Sequence, residues 1–265
     1  MLKLERTEVS GLMAAIRGMR NPMNSWDKSD SFLFEDGMYE DIFGNSGEYS
    51  GDDYGFVVGD NDHQLMMNLA RAGSVDAKFR RMIVVTVDIT APLYWWKEFD
   101  TYKVGTVANS CSTMHKIHAK EFMLEDFSCE HLLDWPDIDI PEEFGPDNPL
   151  ELGDMPVVLR NRDNNSHFDG TDKYLYYSPE GALKILVEML NRCRKLYLKT
   201  KDKTFWWQMI QLLPSSYNQK RTVMLNYEVL AGIYPKRKNH KLDEWRTFCD
   251  WIKQLPYSEI ITLEE

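Results

Sequence analysis

Cys111 stands between Ser110 and Ser112, and His115 and His118 follow it closely. A thiol beside small hydroxyls with imidazoles nearby has the composition of a nucleophilic site, in which a base takes the proton from sulfur. No base is fixed at hydrogen-bonding reach by this spacing, so Cys111 is expected to be a buried, free structural thiol. The i, i+3 spacing of His115 and His118 would set two imidazoles on one helical face, but no acidic third ligand is fixed beside them and no metal site is expected. The run Lys236, Arg237, Lys238, His240, Lys241 is either a solvated helix entry or the place where an acidic chain receives a nucleotide phosphate. Tyr94, Trp95, Trp96 and Phe99 are either core or a stacking platform, since large aromatics repay their ordering only by burying area.

These groups need elements to hold them. Period-2 alternation of Leu2 and Leu4 with Lys3 and Glu5 predicts a strand over 1–9, and apolar spacing over 12–19 predicts a helix that Asn21-Pro22 stops. A second helix is expected from Asp60, as its N-cap, to Gly73, and a central strand over 79–89 leads to Pro92. Pro179 at a first helical position, with Leu183, Leu186, Val187, Leu190 and Leu196, predicts a helix to about 200. Further helices are predicted over 204–213, 218–233 and 240–254. The expected fold class is α+β: a mainly antiparallel sheet flanked by helices, with a helical C-terminal third. The chain is expected to be a single domain spanning 1–265 with insertions at about 24–59 and 132–177, the first aromatic and the second acidic and rich in proline.

Composition narrows the function classes. With 43% hydrophobic and 12% aromatic residues, 265 residues bury a substantial core. The balance of 42 acidic against 31 basic residues, net -11, repels a phosphate backbone, so no nucleic-acid partner is expected. The four cysteines form no close pairs, which predicts reduced thiols in a cytoplasmic protein. No apolar run reaches the roughly 20 residues that span a bilayer, and no membrane partner is expected.

The C-terminal segment carries Leu213-Pro214, Asn226, Arg237, His240, Glu244 and Arg246 in the order of the Leu-Pro, Asn, Arg and closing His-to-Arg helix of the flavin-dependent thymidylate synthase family, which it resembles. Gly73, the Lys78-Phe79-Arg80-Arg81 entry and Ile89-Thr90-Ala91-Pro92 are similar to its first half. Where the family carries its Arg-His-Arg signature this chain has Asp100-Thr101-Tyr102-Lys103, then Asn109 and Ser112. The resemblance implies Arg237 as the catalytic, charge-stabilising group. It implies Lys103, Asn109, Ser112 and Arg237 as contacts to a dUMP-like nucleotide, and Arg81, Asn226 and His240 as contacts to FAD. It further implies a homotetramer. Two function classes follow: reductive methylation of dUMP to dTMP with FAD, NADPH and methylenetetrahydrofolate, or a catalytically inactive nucleotide-binding or protein-interaction module on the same scaffold.

Overall fold

The computed structural model describes residues 2–33, 56–133, 151–152, 155–156 and 179–264. Packing divides the chain into two units, Met1–Cys111 with Asn218–Glu265, and Ser112–Tyr217.

The first unit is built on a four-stranded antiparallel sheet in the order β1 (Lys3–Ser10), β4 (Val84–Pro92), β8 (Asn218–Asn226), β5 (Val107–Ser110). A separate two-stranded ribbon pairs β2 (Phe32–Leu33) with β3 (Phe56–Val57). One face of the sheet is apolar because alternate residues share a side. Val85, Val87, Ile89 and Ala91 of β4, with Val223 and Leu225 of β8, are all fully buried. Helices α1 (Leu12–Arg20), α2 (Asp60–Ala72), α3 (Leu93–Phe99), α7 (Tyr227–Arg237), α8 (Asp243–Gln254) and α9 (Glu259–Thr262) complete this unit. Met66, Trp95, Trp96, Leu230, Trp245, Phe248 and Ile260 join the strand residues in one continuous core.

Gly11 makes the turn from β1 to α1 possible. Its φ is +93°, and a Cβ there would lie 2.0 Å from the Met82 carbonyl oxygen. The other sheet face is polar at its centre: buried Asp88 accepts from Thr222 Oγ1 at 2.6 Å and pairs with Lys220 Nζ at 3.1 Å. The Thr222 hydroxyl first, then Lys220 and Arg6, hold its carboxyl below the usual carboxylate range.

The structure alters several of the sequence expectations. The strand expected over 79–89 begins later, at Val84, because Ala77–Arg81 winds as a 3-10 turn. The α2 N-cap is Gly59, not Asp60, and the first-turn N–H groups of Asn61 and Asp62 donate to the Asp30 carboxylate at 2.9 and 3.1 Å. The expected helix over 218–233 divides into strand β8 and helix α7, and α7 runs through Pro235 to Arg237. The fold remains a mixed helical and antiparallel-sheet arrangement, as expected. Of the two expected insertions, 34–55 and most of 132–177 lie outside the described residues.

The second unit holds α4 (Thr113–Lys116), the pair β6 (Glu151–Leu152) and β7 (Met155–Pro156), α5 (Pro179–Thr200) and α6 (Lys203–Leu212). Asp202 caps α6, accepting from Thr204 N at 2.8 Å. Ile117, Phe122, Phe127, Leu183, Leu190 and Met209 form its core. The Asn191 amide closes it by both donating to and accepting from the Phe122 backbone, at 2.8 and 2.9 Å. Among the described residues, no helix is long and apolar enough to cross a membrane.

Candidate functional site

Helix α3 starts at Pro92, whose extended conformation sets the chain direction, and turns Trp95, Trp96 and Phe99 inward to exposures of 0, 1 and 2%. These aromatics are therefore core, packed on one another and on Trp245 and Phe248 at ring-centroid separations of 4.9 to 6.4 Å. The polar chemistry lies at the C-terminal end of the helix, on residues the aromatic block carries between its rings.

Glu98 Oε2 accepts from Arg237 Nη1 at 2.7 Å and from Trp245 Nε1 at 3.0 Å, and His240 Nε2 lies 3.7 Å away. Arg237 Nε donates to the Tyr102 hydroxyl at 3.0 Å, and its guanidinium lies 4.4 Å above the Trp245 ring. A second pairing of the same kind stands beside the first. Arg221 Nη1 donates to Asp100 Oδ1 at 2.7 Å, its Nε donates to Gln219 Oε1 at 3.0 Å, and its guanidinium covers the Trp96 ring at 4.1 Å. Two planar cations thus rest on two indoles, each held by a carboxylate of the α3 end, a geometry suited to guanidinium rather than ammonium groups. The Tyr94 hydroxyl donates to buried Glu244 on the other side of the helix.

The structure brings together some of the residues the sequence points to and leaves others apart. Arg237 and His240 converge on Glu98. Asn226 caps α7, accepting from Val229 N at 3.0 Å. The loop bearing Lys103 passes over that cap at Gly105, where φ is +79° and a Cβ would sit 3.3 Å from Asn226 Nδ2. Lys103 is exposed, Asn109 is exposed on β5 opposite Thr222, and Arg81 is exposed at the end of the 3-10 turn. Lys103 and Arg81 have no side-chain partner among the described residues. Ser112 belongs to the second unit, where its hydroxyl accepts from His115 N at 3.0 Å and caps α4.

Cys111 is exposed rather than buried, because it ends β5 at the sheet edge with only its backbone bound, to Lys220 O and Gln219 Nε2, both at 2.9 Å. His115 is exposed, whereas His118 packs edge-on against Tyr197 at 4.9 Å. Among the described residues, no group of three or more His, Cys, Asp or Glu side chains is placed to hold a metal ion. Glu98, Asp100 and Arg221 were not singled out as functional from sequence. The signal available was two carboxylates flanking Phe99 at the end of an aromatic run, at a partly exposed helix end where cations of other elements can reach them.

No family model matches the sequence, and no curated protein matches it. Among solved structures the chain is similar to thymidylate synthase X from Helicobacter pylori, solved with FAD and dUMP. The TM-score is 0.56 at 12% identity, over 100% of this chain and 98% of that one. The chain has the ThyX-like fold. It is also similar to the UMP/dUMP methylase PolB from Streptomyces cacaoi bound with 5-Br UMP, with a TM-score of 0.53 at 13% identity, over 99% and 95% of the two chains.

On this ThyX-like scaffold, Arg221 and Arg237 each spend Nε and one terminal nitrogen on internal partners, and Nη2 of each remains uncommitted among the described residues. A single N–H group of that kind can donate to a neutral carbonyl oxygen. A phosphate dianion would meet the carboxylate already seated on the same guanidinium, and like charges at such range repel. At these two half-buried guanidinium groups the arrangement therefore suits a neutral carbonyl oxygen better than a phosphate.

Proposed function

We propose that this protein is a catalytically inactive, ThyX-like nucleotide-binding module that receives a dUMP-like pyrimidine nucleotide. The observation that carries the reading is the occupation of both guanidinium groups by Glu98 and Asp100, in a chain whose fold is that of enzymes solved with FAD and dUMP. The nucleotide base would take the free N–H groups of Arg237 or Arg221, and Lys103 with Asn109 would face the phosphate. Arg81, Asn226 and His240, the residues the resemblance assigns to FAD, do not fit that group. Asn226 is spent on a helix cap, His240 accepts from Leu242 N at 3.2 Å beside Glu98, and Arg81 is a single exposed cation.

The second reading is an active FAD-dependent thymidylate synthase, favoured by the likeness extending over the whole chain. Calorimetry with dUMP and, separately, with FAD distinguishes the two. Binding of dUMP without FAD, weakened by Arg237→Ala about ten- to a hundredfold as expected for a lost charged hydrogen bond, supports the module. Tight FAD binding with tritium release from 5-labelled dUMP establishes the enzyme and overturns it, and failure of both ligands removes the nucleotide assignment. We further propose a homotetramer, which light scattering tests: a monomer at micromolar concentration rules it out.

A further inference from the structure

Helix α1 ends beside a cavity of about 200 Å³ that belongs wholly to the first unit and lies apart from the α3 carboxylates in the elements that build it. Its lining includes Met13, Ile16, Arg17, Arg20, Trp26 and Phe56. The apolar side chains supply one wall. Trp26 supplies another: its ring is half exposed, yet its indole N–H is fixed to Asn21 Oδ1 at 2.8 Å, so the ring is held in place while part of its surface faces solvent.

The charged end is built more deeply. Arg20 is 5% exposed, and its Nε donates to Asp62 Oδ1 at 2.6 Å and its Nη1 to Ser25 O at 3.2 Å. Asp62 is fully buried and also accepts from Ser29 Oγ and Ser31 Oγ, each at 2.6 Å, and from the backbone of Asp30 and Ser31. That network neutralises Arg20 and fixes its fork, leaving Nη2 uncommitted among the described residues. Arg17, three residues earlier and hence on a neighbouring position of the same helical face, has no ion pair among the described residues. Among the described residues, the cavity therefore carries one guanidinium charge that no lining carboxylate offsets.

We propose that this cavity is a binding site for a small organic anion with one ring or a short aliphatic body, its carboxylate or phosphate on Arg17 and its apolar part between Trp26 and Phe56. Size restricts the ligand: a cavity of about 150 Å³ holds benzene, whereas drug-sized ligands occupy roughly 300 Å³ or more, so a whole nucleotide does not fit. A guanidinium beside apolar and aromatic walls gives the planar, bidentate recognition of an anion that Arg provides and Lys does not. The site is independent of the pyrimidine nucleotide reading.

The test is calorimetry on the full chain with benzoate, phenyl phosphate and neutral benzyl alcohol. At least one anion is expected to bind with one-to-one stoichiometry, and the alcohol at least tenfold more weakly. The stronger anion identifies carboxylate or phosphate as the natural head group. Arg17→Ala, an exposed position whose loss spares the fold, is expected to weaken the anion at least tenfold while changing dUMP affinity less than twofold. Arg17→Lys, which keeps the charge and loses the fork, is expected to fall between wild type and Ala. No heat with either anion, or anion binding that Arg17→Ala leaves unchanged, overturns the proposal.

Discussion

Glu98 and Arg237 are joined by a 2.7 Å ion pair although 139 residues separate them, and the same carboxylate oxygen receives the Trp245 indole N–H. One oxygen thus ties the end of α3 to the end of α7 and to α8, and it sets Arg237 flat on the indole. Whatever ligand reaches this place meets a cation whose charge is already balanced.

Replacing Glu98 with Gln keeps an acceptor for Trp245 and removes the charge. Since the Glu98 side chain is 36% exposed, solvent screening limits the cost to about 1 kcal/mol, or roughly 2–4 °C in Tm for a chain of this size. The same change removes the negative charge beside Arg237, so dUMP affinity is expected to rise. Calorimetry and a thermal melt of the same preparation measure both. A weaker affinity with an unaltered Tm would show that the carboxylate assists the ligand instead of repelling it.

Asp62 contributes to the acid stability of the first unit. Burial pushes its pKa up, but the hydroxyls of Ser29 and Ser31 and the Arg20 guanidinium outweigh it, and the net shift is downward. A folded value below the unfolded one means that the stabilisation is complete above the ordinary carboxylate range near 4. It is lost as pH falls through the lowered folded value. Asp62→Asn leaves Arg20 buried without its counter-ion, at a cost of about 3–5 kcal/mol and a fall in Tm on the order of 10 °C. The variant should lose less additional stability between pH 5 and acid than the parent does. Parallel melts across that range check this, and identical pH slopes would contradict it.

The cysteines should separate by reactivity. Burial raises the Cys249 thiol to about 11, while Cys111 is exposed at the sheet edge. At neutral pH a thiol-specific disulfide reagent should modify Cys111 in the folded protein and leave Cys249 untouched until unfolding. Cys111→Ser should leave nucleotide affinity within a few fold. Mass spectrometry of the labelled peptides decides the first point, and modification of Cys249 at the rate of Cys111 would refute it.

Much of the architecture is readable from residue spacing alone. The core stripes of α1, α2 and α8, and the start of α5 at Pro179, follow from apolar periodicity and from where proline and glycine are tolerated. The Trp95, Trp96, Phe99 block is committed to burial by its own size. Strand β8 departs from the helix that apolar spacing predicts over 218–233 for a specific reason. Val223, Tyr227, Leu230 and Tyr234 fall at helical spacing across the true boundary, and this obscured the period-2 set of Gln219, Arg221, Val223 and Leu225. The decision belongs to the neighbours, since β4 and β5 supply hydrogen-bond partners on both edges of that segment.

For the candidate site, the sequence determined which residue types were present: a guanidinium at 237, a histidine at 240, carboxylates at 98 and 100, and no arginine in the Asp100–Lys103 segment that stands in place of the family's Arg-His-Arg. Only the tertiary structure decided that Glu98 meets Arg237 and that Asp100 meets Arg221, because pairings over 139 and 121 residues leave no periodic trace in the chain. The same holds for Arg20 and Asp62. Their charges are tolerable in the interior solely because folding places them 2.6 Å apart, and that distance is a property of packed helices that local spacing does not encode.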